Sequence, residues 1–345
     1  GLPMESRLAF PILGAIVVGI ILRRLPAKQR LFGVPLVMDR LNSHQGHIPL
    51  SNALHQFLLG VLTIVSGQSA GREGPAVHLG AASSSLLGQG LRLPNNSIRI
   101  LVGCGTAAAI SASFNTPIAG VIFAMEVVLM EYSISGFTPV ILSAVSAAVL
   151  NQIVYGNMPA FNIPAMSLHS LFELPFIVGM GVVFALCSTT FVRTLRFAMR
   201  FNHRPVLLRL SVAGIMTACV ALVAPQVMGV GYDTVSSSIA GDLSLSVLVL
   251  IGVAKLLLTP ASIGLGMPSG IIGPTLFIGA TLGAAMGVIA QQLMPGTASS
   301  IGLYSMLGMG AMMGAVLQAP LSALMAVMEL TRNTQIMLPA MLIIV

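Results

Sequence analysis

One short pattern occurs twice in this chain, 199 residues apart (270 minus 71). The first copy reads Gly71-Arg72-Glu73-Gly74-Pro75 and runs on through Leu79-Gly80-Ala81 to Gly88. The second reads Gly270-Ile271-Ile272-Gly273-Pro274 and runs on through Ile278-Gly279-Ala280 to Gly287. Another pair follows at nearly the same spacing: Asn115-Thr116-Pro117-Ile118 through Met125-Glu126, and Gln318-Ala319-Pro320-Leu321 through Met328-Glu329, offset by 203 (320 minus 117). In an apolar chain, an internal repeat built on Gly-Pro helix starts marks a transporter or channel. The copies differ at one informative place, where Glu73 stands opposite Ile272. A duplicated scaffold that keeps a charge in one half only points to that charge as functional.

The chain is 56% hydrophobic and 7% charged. Soluble domains carry about 25% charged residues, so a water-soluble fold is excluded and an all-α integral membrane protein is expected. Apolar runs at 8–22, 140–154, 175–191 and 243–258 approach spanning length. The 36 Gly and 20 Pro fit tight helix packing and interrupted helices rather than a bundle of long spans. The net charge of +7 comes largely from two clusters, Arg23, Arg24, Lys28 and Arg30, then Arg193, Arg196, Arg200, Arg204 and Arg209. Both are expected on the cytoplasmic face of the inner (plasma) membrane. No segment is polar enough for a nucleic-acid surface. Cys104, Cys187 and Cys219 stand singly without metal spacing, so inert thiols, no metal and no cofactor are expected.

The repeat divides the chain into a first membrane half, 1–165, and a second, inverted half, 166–345, joined by a polar stretch from Gly156 to Ser170. The offset leaves the segment from about Leu168 to Arg200 without a counterpart, which predicts a further helix ahead of Gly1. The chain also ends inside an apolar run. Helices are expected near Arg7–Arg24, Pro49–Ser66, Pro75–Leu87, Ser97–Ser113, Pro117–Tyr132 and Phe137–Tyr155. In the second half they are expected near Leu171–Arg200, Pro205–Val227, Ser244–Leu258, Pro274–Leu293, Ile301–Val316, Pro320–Leu330 and from Met337 on. Pro75, Pro117, Pro274 and Pro320 read as first helical positions, where the missing N–H has no partner to lose.

Those starts carry the chemistry. A helix beginning inside the membrane leaves its first N–H groups unpaired, with about half a positive charge at that end. Preceding glycines let the backbone approach a ligand closely. Two such starts, related by an inverted repeat and converging near the bilayer midplane, make an anion site without a full cation. The alternative is a pair of ordinary broken helices packed against their neighbours.

At these residues the chain resembles the CLC family of chloride channels and chloride/proton exchangers, from about residue 7 to 345. Gly71-Arg72-Glu73-Gly74-Pro75 is identical to the family's most characteristic motif. Gly270-Ile271-Ile272-Gly273-Pro274 is similar to its second anion motif, and Phe114-Asn115-Thr116-Pro117-Ile118-Ala119-Gly120 to the entry of a dimer-interface helix. The resemblance implies a homodimer in the bilayer, with one chloride pathway per subunit and protons as a possible second cargo. It makes Glu73 the gating glutamate, whose carboxylate occupies the outer anion site until protonation or anion displaces it. Gly71, Arg72, Gly74 and Gly270 fall in the anion motifs, and Ile271 and Ile272 would offer backbone N–H groups.

Three departures bear on the detail. The family's first anion motif aligns with Leu31-Phe32-Gly33-Val34-Pro35, where Phe32 replaces a hydroxyl donor. The coordinating Tyr falls on Thr334. The exchangers' internal proton-transfer Glu aligns with Val127, next to Glu126, on the proton path the resemblance implies. Val127 and Thr334 favour channel-like, weakly proton-coupled transport over a coupled antiporter. Glu126 and Glu329 occupy matching places, which favours a shared role in capping neighbouring helices. His78 reads as a packing or water contact rather than a proton relay, and Lys255, alone in an apolar helix, must snorkel or find carbonyl or acidic partners. An intramembrane enzyme would need a Ser–His pair, paired Asp or His-Glu-x-x-His at helical spacing, and none is present. Two Asn-Pro-Ala boxes, expected of a water pore, are absent as well.

Overall fold

A computed structural model describes residues 4–26, 30–156, 161 and 166–345. Lys28 and the boundary at 165 therefore lie outside the described residues. The described chain is helical, with a single isolated β-bridge. Among the described residues, six helices are long and apolar enough to cross a membrane. In the first half the helices are α1 (Met4–Arg24), α2 (Gly33–Ser43), α3 (Leu50–Val65), α4 (Glu73–Gly90), α5 (Asn95–Phe114), α6 (Pro117–Phe123) and α7 (Ile134–Tyr155). The second half holds α8 (Leu174–Met199), α9 (Val206–Val223), α10 (Tyr232–Ala240), α11 (Leu245–Gly264), α12 (Ile272–Leu293), α13 (Ile301–Leu317), α14 (Pro320–Thr331) and α15 (Met337–Ile344).

Matching elements pack in matching ways. A Cβ on Gly80 of α4 would stand 2.2 Å from the Gly105 carbonyl of α5, and one on Gly279 of α12 would stand 2.3 Å from the Gly308 carbonyl of α13. Bare backbones at both crossings let the helices touch, which replaces the hydrophobic drive that lipid cannot supply. Asn115 and Gln318 both adopt left-handed φ, 56° and 54°, one residue before the Thr or Ala that precedes Pro117 and Pro320. Each ends one helix and re-aims the chain into the next. Leu25, Ala198, Leu210 and Leu265 share one small apolar cluster. That packing brings the two basic segments to the same end, as a common cytoplasmic face requires.

The boundaries correct several expectations. α4 and α12 start at Glu73 and Ile272, so Pro75 and Pro274 are third rather than first helical residues. Any of the first few positions tolerates proline, because none of those N–H groups has an intrahelical partner. Pro117 and Pro320 do open their helices. The expected helix to Tyr132 instead turns at Phe123 into a π-helical segment, Ala124–Leu129. α11 runs six residues past Leu258, through Pro260, to Gly264. Two helices were not anticipated, α2 and α10; they are 11 and 9 residues long and too polar to stand out in an apolar chain.

Candidate functional site

The two repeated motifs meet directly. The Gly71 N–H donates to the Gly270 carbonyl at 3.2 Å, and the Gly270 N–H donates to the Gly71 carbonyl at 2.9 Å. The Ser269 hydroxyl accepts from the Gly71 N–H at 3.0 Å and donates to the Gly270 carbonyl at 3.0 Å. Glycine is required here by contact: a Cβ on Gly74 would lie 2.7 Å from the Gly270 Cα, and one on Gly270 would lie 2.3 Å from the Gly74 nitrogen. Gly33, the head of α2, joins the same junction, with its Cβ position 3.8 Å from the Gly74 Cα and from the Ser269 carbonyl. Three helix starts, of α2, α4 and α12, therefore converge on one point.

Glu73 is the first residue of α4 and is fully buried. Its carboxylate crosses to the other half. One oxygen accepts from the Gly273 N–H of α12 at 3.0 Å, and the other accepts from the Tyr232 hydroxyl. The free N–H groups at the head of α12, with their partial positive charge, help explain why a carboxylate can sit there. Tyr232 opens α10 behind left-handed Gly231 (φ 79°). Its ring packs edge-on against Phe161 at 5.2 Å, and the Arg72 guanidinium lies 5.0 Å from the ring centroid.

Lys255 supports this arrangement from below. It is fully buried, and its ammonium donates to the carbonyls of Val227 (3.3 Å), Gly229 (3.0 Å) and Val230 (3.3 Å). It also lies 4.2 Å from the centroid of the Phe277 ring on α12. The carbonyl partners expected of a lone intramembrane lysine are thus those of the loop that leads into Tyr232.

Not every candidate joins the cluster as a donor. The N–H groups of Gly71 and Gly270 are occupied by the bridge, and that of Gly33 donates to Gln56 Oε1 at 3.2 Å. The N–H on Glu73 is that of Gly273, one residue beyond Ile271 and Ile272, because α12 begins earlier than its proline suggests. Arg72 is exposed; it donates to the Ser113 carbonyl at 2.9 Å and flanks the Tyr232 ring rather than bonding Glu73. Phe32 is half-buried at the head of α2 and offers no cap, while Val34 packs on the main core. Thr334 is exposed, at the start of the short turn Thr334–Ile336, and makes no described contact with Glu73.

Glu126 and Glu329 behave as a matched pair. Glu126 accepts from the N–H groups of Leu321 (3.1 Å) and Ser322 (2.8 Å) at the head of α14. Glu329 accepts from those of Ile118 (3.0 Å) and Ala119 (2.7 Å) at the head of α6. Each half caps a helix of the other, and half-buried Val127 packs against the core beside this cap.

Tyr232 is the residue that sequence reasoning missed. The signal available was a rare tyrosine, one of 4, directly after Gly229-Val230-Gly231. Among the described residues the site is a junction of helix heads holding one carboxylate.

Comparison with known proteins then fits the geometry. The family model described as voltage gated chloride channel matches residues 14–345. The chain belongs to the CLC family. It is 31% identical to a ClcB-like protein of Ralstonia nicotianae, over 99% of this chain and 81% of that protein. It is 29% identical to the H(+)/Cl(-) exchange transporter ClcA of Vibrio cholerae, over 82% of this chain but only 63% of the transporter's length. Among solved structures, a slow cyanobacterial Cl-/H+ antiporter has a TM-score of 0.88 at 22% identity, covering 99% of this chain and 82% of that one. A CLC-type fluoride/proton antiporter gives 0.73 at 22% identity, over 98% and 92%. At these identities the structures show the fold. This CLC chain is accordingly a multi-pass membrane transport protein and not an enzyme.

Proposed function

We propose that this CLC protein carries chloride, or a small anion like it, across the membrane, and that the Glu73 carboxylate gates the path. One observation carries the reading: a fully buried carboxylate rests on an N–H of the opposite half and on the Tyr232 hydroxyl. A chloride ion needs those same donors, so carboxylate and anion compete for one place. Protonation removes the charge that holds Glu73 there, and flux rises as pH falls. Intramembrane acids are functional by default.

Coupled exchange with protons has at least as much support as channel-like passage, because relatives of this chain are named exchange transporters. Weak coupling is favoured by Val127 and by Glu126, whose carboxylate already holds the head of α14. The protein works as a homodimer with one path per subunit in this reading. Purified protein in liposomes with a chloride gradient tests it, with chloride and proton movement recorded together. Chloride flux driving protons uphill means exchange, and flux without proton movement means a channel. Absence of any anion flux removes the proposal.

A further inference from the structure

The gate does not account for a group of buried polar side chains just inside it. α3 and α4 run antiparallel. Gly60 of α3 meets Pro75 of α4, where a Cβ would stand 2.8 Å from the ring, and Ser85 of α4 donates to the Gly46 carbonyl ahead of α3. Between these contacts lie Asn52 and Gln56 on α3 and His78 on α4, all fully buried. Gln56 Nε2, both amide atoms of Asn52 and both ring nitrogens of His78 have no partner among the described residues. Buried polar atoms in native proteins are nearly always paired, so five orphans in one region indicate a polar ligand.

Gln56 shows where that ligand binds. Its Oε1 accepts from the Gly33 N–H at 3.2 Å, and because that N–H can only donate, the oxygen end of the amide is assigned. The NH₂ end carries two donors, and it lies 3.9 Å from the Cβ position of Gly60, which abuts Pro75 of the gating helix. A fully buried amide is thus pinned at the head of α2 with its donors free beside α4. Phe32 precedes Gly33 in extended conformation (φ −133°) and offers no hydrogen bond at that same head. Gln56 adds side-chain donors at a junction whose one described carboxylate, Glu73, is turned toward Gly273 and Tyr232.

We propose that Gln56 is an anion ligand of this chain. Its Nε2 supplies the side-chain donor that Phe32 cannot, and completes an inner site for a small monovalent inorganic anion between the heads of α2 and α4. The inference rests on the anion reading of the pathway and extends it to a residue outside the repeated motifs. Asn52 lies one turn further along the same face of α3 and continues the polar lining away from the gate.

The test is chloride binding by calorimetry and chloride flux in liposomes, in a Glu73→Gln parent where the gate no longer competes. Gln56→Glu keeps the oxygen that accepts from Gly33 but replaces the donors with a negative oxygen, and should weaken chloride binding more than about 10-fold. Gln56→Met removes the amide at similar volume and should weaken binding roughly 2- to 10-fold. Adding Phe32→Ser to Gln56→Met should recover part of the loss, which a merely structural role for Gln56 does not provide. If the Met variant does not fold, the near-isosteric Glu variant decides alone. Unchanged chloride affinity in Gln56→Glu overturns the inference while leaving the anion reading in place. A parent that neither binds nor passes chloride overturns the reading itself.

Discussion

Glu73 and Glu173 are both fully buried glutamates, and each accepts from a tyrosine hydroxyl of another segment. Their surroundings otherwise differ sharply. Glu173 also accepts from the N–H groups of Ser170 (3.1 Å) and Ser299 (3.0 Å) and from the Ser299 hydroxyl (2.9 Å). With Tyr304 that makes four donors, about the number a carboxylate can use. Glu73 has two, Tyr232 and Gly273. A saturated carboxylate ties the start of α8 to the loop before α13 and has no reason to leave. An under-saturated one, held by a helix head that an anion can equally occupy, can be displaced. If Glu73 is the gate proposed above, burial alone does not mark the functional acid, and the count of its donors does.

The largest effect that separates the two is on folding. Glu173→Ala leaves four donors without their acceptor, among them the buried N–H and hydroxyl of Ser299. It should lower stability by about 3 kcal/mol or more. Glu73→Ala leaves two donors beside the proposed anion path and should cost far less. Thermal unfolding of both variants in the same detergent checks this. Equal losses would mean that donor count does not distinguish a strut from a gate.

Next comes the gate itself. Glu73→Gln keeps size and burial but removes the charge that competes with chloride. Wild-type flux is expected to rise as pH falls, since protonation frees the donors, and Glu73→Gln should sit at the high-flux limit at every pH. A variant that keeps the wild-type pH response in liposomes would move the gate elsewhere. Tyr232→Phe follows with a smaller change. It removes one of two donors, and a hydrogen bond to a charged group contributes about 1.5–3 kcal/mol, so flux at neutral pH should rise by roughly 10-fold to 100-fold with the pH response retained. Flux equal to wild type would mean that Gly273 alone holds the carboxylate.

The same contrast explains what could be read from the residues and what could not. The repeat locates the helix heads, and the asymmetry between Glu73 and Ile272 singles out the charge, because both are matters of order along the chain. The symmetry of Glu126 and Glu329 likewise foretells their exchange of caps. Donor identity was less legible. A proline fixes a helix start only to within its first turn, so the N–H on Glu73 belongs to Gly273, beyond Ile272. Tyr232 reaches Glu73 from 159 residues away, through a Gly-rich turn held by Lys255, and no local pattern encodes that contact. The hydroxyl sought at Thr334 is exposed, and the hydroxyl present comes from α10, a helix too short to announce itself.

The smallest expected effects belong to the reciprocal caps, and they bear on the proton question. Each carboxylate accepts two N–H groups at a helix head of the other half, and losing a cap of this kind costs about 0.5–2 kcal/mol. Glu126→Gln and Glu329→Gln should therefore destabilise the protein to a similar, modest degree. A purely structural pair should also leave the protons moved per chloride unchanged in both variants. Glu126 is the member beside Val127, where the exchanger resemblance puts a proton path, and Glu329 serves as its internal control. Loss of proton movement in Glu126→Gln alone, at equal stability, would make that carboxylate a proton carrier as well as a cap. Matched behaviour of the two would leave Glu73 as the single acid of the pathway and favour channel-like transport.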